Sequence, residues 1–336
     1  MLRRMKPSTR PPPAPGPPTW GVVATVKAPL RDVLNFAAHH LELGAHRVHV
    51  FLDEPNEPAR RALRHHPKCR VITCDDAYWQ KRGRARPARH QVRQTINASF
   101  CLRRRPQVDW LAHIDVDEFL WPDADRPLHT QLAALPADTL SARARPIEAL
   151  APDPADPPDA GVTWFRSCAR LALRRREETD VIYPRFGPHL NGGFMSHVVG
   201  KVFVRTGVPR TSLRIHNAFR GEEKDSAPAE LPHTALCHLH APDWSHFLTA
   251  YRFRLAHGSY RAGLSQAPLS GESGLNMHAL LAGIEAEGGE QALRAFYRKV
   301  CTATPDLRER LTQYGHLHAI RLDLDAKRAR YFPGFA

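Results

Sequence analysis

With 336 residues, 42% of them hydrophobic, the chain is long enough for one large domain or two small ones and apolar enough for a sizeable core. Its 48 Lys and Arg against 34 Asp and Glu give a formal charge of +14, which favours anionic partners, although an Arg-, Ala- and Pro-rich composition supplies part of that excess. Six cysteines without a C-x-x-C pair read as reduced thiols, with Cys69 and Cys74 able to bridge in principle, and no stretch resembles a signal peptide or reaches the roughly 18 apolar residues of a membrane span.

Residues 1–19 are basic and then proline-dominated, which predicts a disordered tail biased to polyproline conformation. Gly21 to Val26 is a continuous apolar run, as in a strand buried on both faces. Leu30, Val33, Leu34, Ala37, Ala38 and Leu41 recur at helical spacing, with Gly44 placed as a C-cap. Val48 to Leu52 predicts a second strand ending at Asp53, Glu57 to His66 a short helix, and Val71 to Thr73 a third strand. This β-α-β-α-β order implies parallel strands with ligand groups at their carboxyl ends, where Thr25, Asp53 and Asp115 stand. Arg89 to Leu102 reads as a basic helix whose Arg84, Arg86, Arg89 and Arg93 surroundings form either a solvated face or an anion contact. Beyond residue 120 the pattern predicts a helix over 128–135, a strand over 140–150 holding Glu148, and a loop over 151–160. Strands at 198–205 and 237–240, a helix over 243–260 and helices to about 325 follow.

The stretch from Trp110 to Leu120 carries the strongest chemical signal: an apolar run stops at Asp115, Asp117 and Glu118, then resumes with Phe119 and Leu120. Unpaired buried carboxylates cost several kcal/mol or more, on the order of magnitude that a divalent cation compensates. In an extended backbone Asp115 and Asp117 share a face, offering two hard oxygen donors suited to Mg2+ or Mn2+ carrying a phosphate. The bland alternative is an acidic loop that caps a helix.

Ala24-Thr25-Val26-Lys27, Leu43-Gly44, Phe51-Leu52-Asp53, Ile114-Asp115-Val116-Asp117-Glu118-Phe119, Lys201-Val202-Phe203-Val204-Arg205 and His238-Leu239-His240 follow one another over about residues 20–260. In these motifs the chain resembles bacterial GT-A type glycosyltransferases of the family-2-like group related to family 92. Ala28-Pro29 stands where that group has Asn-Glu, and Asp53-Glu54-Pro55-Asn56-Glu57 replaces its usual polar turn. The resemblance implies an α/β GT-A fold, Rossmann-like for nucleotide-sugar binding, with a mixed central sheet and a helical C-terminal region. It implies one domain over 20–325, with a nucleotide-binding half (20–122), an acceptor-side half (123–260) and C-terminal helices (261–325). Carried over by position, Asp117 is a direct ligand of Mn2+ or Mg2+, and Asp115 binds the metal through water or holds the ribose. His238, with His240 second, completes the metal shell. Thr25 and Asp53 line the nucleoside pocket, and Lys201 or a basic residue of 89–94 faces the diphosphate. For the catalytic base, Glu148, Glu118, Glu222 and Glu223 stay open, Glu148 being attractive as a carboxylate inside an apolar segment.

The expected function is metal-dependent transfer of a sugar, with family-2-like inversion, from a nucleotide-sugar (a UDP-sugar first) to a glycan, lipid-linked or protein acceptor. The expected location is cytoplasmic, with peripheral contact to an anionic membrane. The other classes are a basic nucleic-acid-binding protein or metallonuclease, and a catalytically silent binding module of the same fold. Nucleic acid is not expected, because the 81–105 stretch has no aromatic residue before Phe100.

Overall fold

The computed structural model describes residues 16–104, 106–256 and 277–335. The first part alternates strands and helices: β1 (Trp20–Val26), α1 (Leu30–Glu42), β2 (Arg47–Leu52), α2 (Glu57–His65), β3 (Cys69–Thr73), α3 (Asp76–Gln80) and α4 (His90–Arg103). β4 (Trp110–His113), β5 (Glu118–Pro122), α5 (Leu128–Ala133), β6 (Ser141–Ala149), β7 (Thr163–Arg166) and α6 (Ala172–Ile182) follow. β8 (Lys201–Arg205), β9 (Thr211–Leu213), β10 (Ala218–Arg220), β11 (Glu223–Lys224) and β12 (Ala229–His238) precede the C-terminal elements. These are α7 (Trp244–Ala256), α8 (Met277–Cys301, broken at Gly288–Gly289), α9 (Pro305–Gln313), β13 (Leu317–Ile320) and α10 (Leu324–Tyr331).

One ten-stranded mixed sheet runs in the order β13-β7-β6-β8-β4-β1-β2-β3, with β12 pairing both β5 and β6, and β9 to β11 form a separate small sheet. The apolar run of β1 is explained by burial on both faces. Val22, Ala24 and Val26 pack with Val33, Phe36 and Ala37 of α1, while Val23 faces Trp79 and Leu102 on the other side. Burying each large apolar side chain contributes about 1.5–3 kcal/mol, which fixes the helices to the sheet. Gly44 ends α1 at φ +91°, the left-handed conformation that glycine takes without strain.

Two registers position the site. β1 and β4 run parallel with Val23 opposite His113, so Thr25 and Asp115, each two residues further on, stand level at the carboxyl end of the sheet. β12 lies antiparallel to β5 and parallel to β6, which sets His238 opposite Glu118 on one side and Glu148 on the other.

The structure departs from the sequence expectations in specific places. The D-x-D segment is not strand: β4 stops at His113, and Asp115 to Asp117 turn into β5, closed by the Glu118 amide donating to the Asp115 carbonyl at 3.1 Å. The short strand expected over 237–240 is the end of the ten-residue β12. The strand expected over 198–205 begins only at Lys201, after a loop. The C-terminal part does not fray near 325: β13 adds an edge to β7, and α10 returns to α1, where Arg328 donates to Asn35 Oδ1 at 2.7 Å and Arg31 bonds Asp325 at 3.0 Å. Thr19 belongs with the ordered chain, since its amide and hydroxyl both donate to Asp109. The expectations for residues 1–15 and for helix over 257–276 lie outside the described residues.

Candidate active site

A cleft of roughly 750 Å3 opens at the carboxyl ends of β1 and β4. One wall is Thr25, Lys27 and the first turns of α4, with His90, Gln91 and Gln94. Its floor is Asp115 to Asp117, and its far wall is the 194–199 loop with His216, His238, His240 and Arg254. Asp115 and Asp117 are the two carboxylates among the described residues that line it.

The two aspartates of the turn have different partners. Asp115 Oδ2 accepts from Lys201 Nζ at 2.6 Å, its Oδ1 accepts from Gln94, and its amide donates to Glu118 Oε2 at 2.8 Å. Lys201 Nζ lies 3.3 Å from the same Glu118 oxygen. Burial opposes the charge of both Asp115 and Lys201, but their mutual attraction outweighs it and holds both ionised. For Glu118 burial dominates, with Asp115 adding to it, and its carboxyl is pushed above the ordinary range. Glu118 Oε1 is buried with no hydrogen-bond partner.

Asp117 points the other way. Its carboxylate, 43% exposed, lies 3.3 Å from His238 Nε2. Burial disfavours the charged imidazole of His238, yet Asp117 outweighs it and pushes the ring up to about 9. His238 Nδ1 is buried without a partner. The His240 ring stands 4.9 Å from that of His238, and burial together with Arg254 drives it well below its usual range. Arg254 Nη1 donates to His240 Nε2 at 2.7 Å. One ligand atom from each of Asp117, His238 and His240 lies within 4.8 Å of the others, a grouping that can hold a metal ion. Asp115 is outside that group. The face that the two aspartates would share in an extended strand does not form, because the segment turns.

The remaining sequence candidates are placed as follows. Thr25 lines the cleft and accepts from Asn97 Nδ2 at 3.1 Å. Asp53 does not reach the cleft: its buried carboxylate is held by Arg93 at 2.6 Å, His90 at 3.2 Å and Arg86 at 3.3 Å, and serves to fix the start of α4. Burial opposes its charge, and His90 and Arg93 keep it well below the carboxylate range. Lys201 is 1% exposed and lies beneath Asp115, so it meets no ligand in the cleft directly. Its strand begins after Gly200, where φ is +78° and an added Cβ would fall 2.1 Å from the Ala144 carbonyl oxygen.

Glu148 is buried and fully engaged. It binds Arg166 at 2.6 Å and accepts from the Met195 amide and from the amide and hydroxyl of Ser196. Arg166 outweighs burial and holds Glu148 far below the usual range. Glu148 therefore anchors the cleft's loop wall, and every one of its oxygens is spent on that wall. Glu222 and Glu223 are in and beside the small sheet, away from the cleft.

Sequence reasoning missed Lys27, His90, Gln94, His216 and Arg254. His90 and Gln94, four residues apart on α4, carried a helical signal; Arg254 and His216 carried none, because their distance from Asp117 in sequence gives no local pattern.

Comparison with known proteins follows from this geometry. The profile of glycosyltransferase family 92 matches residues 24–260. No curated protein matches. Among solved structures, the chain is similar to the mannosyltransferase PcManGT from Pyrobaculum calidifontis in complex with GDP-Man and Mn2+, at 12% identity and TM-score 0.36, over 97% of this chain and 90% of that one. It is also similar to the galactosyltransferase LgtC in complex with donor and acceptor sugar analogs, at 14% identity and TM-score 0.26, over 55% of this chain and 57% of that one. A third is the bifunctional glycosyltransferase WbbM, at 13% identity and TM-score 0.27, over 40% of this chain and 24% of that one. The chain thus spans about half of LgtC and a quarter of WbbM. The cleft is thus carried by an α/β architecture with a mixed sheet, and the chain belongs to glycosyltransferase family 92.

Proposed function

We infer that the enzyme takes a sugar from a nucleoside diphosphate sugar, with a divalent cation held by Asp117, His238 and His240, and passes it to a glycan or lipid-linked acceptor. The observation that carries this reading is the convergence of those three ligand atoms on the cleft floor, together with the orphaned buried Nδ1 of His238. One carboxylate with two imidazoles fits Mn2+ better than Mg2+, which favours an all-oxygen shell. A cation there supplies neutralisation of the charge that gathers on the departing nucleoside diphosphate.

The chain's own residues supply the rest. Thr25, His90, Gln91 and Gln94 line the side of the cleft where the nucleoside fits. Lys27, whose side chain is 62% exposed and 2.6 Å from Glu54, is the cation best placed to swing onto a phosphate. Asp115, locked to Lys201, holds the turn so that Asp117 faces His238 rather than serving as a ligand itself. Glu118 and Glu148 act as positioning residues on either side of His238. No helix among the described residues is long and apolar enough to cross a membrane; the net charge of +14 supports a peripheral contact with an anionic surface.

Hydrolysis of a panel of UDP- and GDP-sugars, followed with Mn2+, with Mg2+ and with EDTA, tests the reading. Turnover that is indifferent to EDTA, or absent with every donor, contradicts it.

A further inference from the structure

On the far side of the 194–199 loop lies a second cleft of roughly 710 Å3, which shares Val198 and Val199 with the first. Four arginines line it, Arg145, Arg170, Arg174 and Arg175, and among the described residues no carboxylate does. Two of the four are neutralised from outside: Arg145 bonds Glu230 at 2.6 Å and Arg174 bonds Glu178 at 2.6 Å. Arg170 shares Glu230 with Arg145 at a longer distance, 3.9 Å, and Arg175 has no carboxylate partner among the described residues. Arg175 donates to Asn191 Oδ1 and to the carbonyls of Ala169 and Arg170, all neutral acceptors. A half-buried guanidinium held by neutral oxygens is preorganised for an anion, and the planar fork suits a phosphate.

The rim adds a second, independent feature. Leu171 and Leu173, beside these arginines in sequence, are 73% and 72% exposed, the most exposed large hydrophobics among the described residues. Of the two, Leu171 lines the cleft beside Arg170 and Arg175, and exposed apolar surface beside guanidinium groups matches a phosphate carrying a hydrocarbon tail, and not a free sugar acid, which gains nothing from leucine. The wall between the two clefts is rigid: Glu148 binds the amides of Met195 and Ser196, while Arg143 donates to the Val199 carbonyl at 3.2 Å.

We propose that this second cleft, lined by Arg170, Leu171 and Arg175, seats the phosphate of a lipid-linked acceptor beside the Val198–Val199 wall that it shares with the first cleft. The proposal rests on the transferase reading above and narrows its acceptor to a lipid phosphate.

The test is calorimetric binding of farnesyl diphosphate, inorganic pyrophosphate and a glucuronate disaccharide to the full chain in EDTA, which removes cations from the first cleft. Farnesyl diphosphate is expected to bind about tenfold more tightly than pyrophosphate through its apolar tail. Arg170→Gln, on an exposed position that cannot unfold the protein, should weaken both about fivefold. Leu171→Ser should erase most of the difference between them. Absence of saturable farnesyl diphosphate binding, an affinity unchanged by Arg170→Gln, or tighter binding of the glucuronate disaccharide would overturn the proposal. So would phosphatidylglycerol vesicles that displace farnesyl diphosphate completely, since the cleft would then be a bilayer headgroup site. UDP binding with Mn2+ on the same preparation reports the donor reading separately. Lipid diphosphate binding without UDP binding supports this cleft and removes only the donor reading.

Discussion

Lys201 Nζ, buried beneath the cleft floor, lies 2.6 Å from Oδ2 of Asp115, which is 30% exposed in that floor. The two aspartates of the D-x-D turn thus face different partners, Asp115 the lysine and Asp117 His238. The two aspartates should therefore respond differently to the same isosteric change.

Asp117→Asn should reduce Mn2+ affinity of the apo protein about a hundredfold or more, because a charged donor is lost from a set of three. The apo melting temperature should hold, since Asp117 is partly exposed and Asn fits the same turn. Asp115→Asn should do the reverse, lowering the melting temperature by leaving Lys201 less well paired while Mn2+ still binds. Manganese electron paramagnetic resonance titration and thermal melts on both variants check this. Equal loss of Mn2+ binding in the two would show that Asp115 is also a direct ligand.

Lys201→Met should destabilise the fold by about 3–5 kcal/mol, the cost of stranding buried carboxylates without their cation. Adding Glu118→Gln should recover part of that loss, because Glu118 is already biased towards its neutral form and accepts from Lys201. Urea denaturation of the single and double variants decides the matter. A Lys201→Met variant as stable as the wild type would mean that the buried triad carries no weight.

Glu148→Gln should cost about 3 kcal/mol near neutral pH, since Arg166 is left with an uncompensated buried charge. The folded carboxyl sits below its ordinary value of 4.5, so its contribution is present above that pH and is lost as pH falls further. The gap between variant and wild type should thus narrow below about pH 4.5. Turnover should drop through KM for the acceptor, as the 194–199 wall loosens, with the shape of the pH–rate profile kept. Loss of the acidic limb of that profile at unchanged stability would instead make Glu148 the catalytic base.

Much of the donor side was legible because its signals are local. The unbroken apolar run of β1, the helical spacing of α1 and the carboxylate-interrupted D-x-D segment each report their surroundings within a dozen residues. The motif singled out His238, whereas its position between Glu118 and Glu148 follows only from the register of β12 with two distant strands. Asp53 and Arg93 show the limit more sharply. An aspartate at a strand end and an arginine in a basic run each have a ready separate meaning, and their 2.6 Å pairing, which removes Asp53 from the cleft, needs the third dimension. β13 and α10 were missed because the sheet edge His318-Ala319-Ile320 and the Arg-rich α10 show no apolar period of their own. Partners from β7 and α1 supply their apolar contacts and ion pairs.

The central claim is that nucleoside diphosphate binding runs through a cation at Asp117, His238 and His240. Calorimetric titration of UDP and GDP into the wild-type chain, once with saturating Mn2+ and once with EDTA, measures this directly. At least one nucleotide is expected to bind about tenfold or more tightly with Mn2+, with the enhancement abolished in His238→Ala. Equal affinity with Mn2+ and with EDTA for both nucleotides would contradict the account.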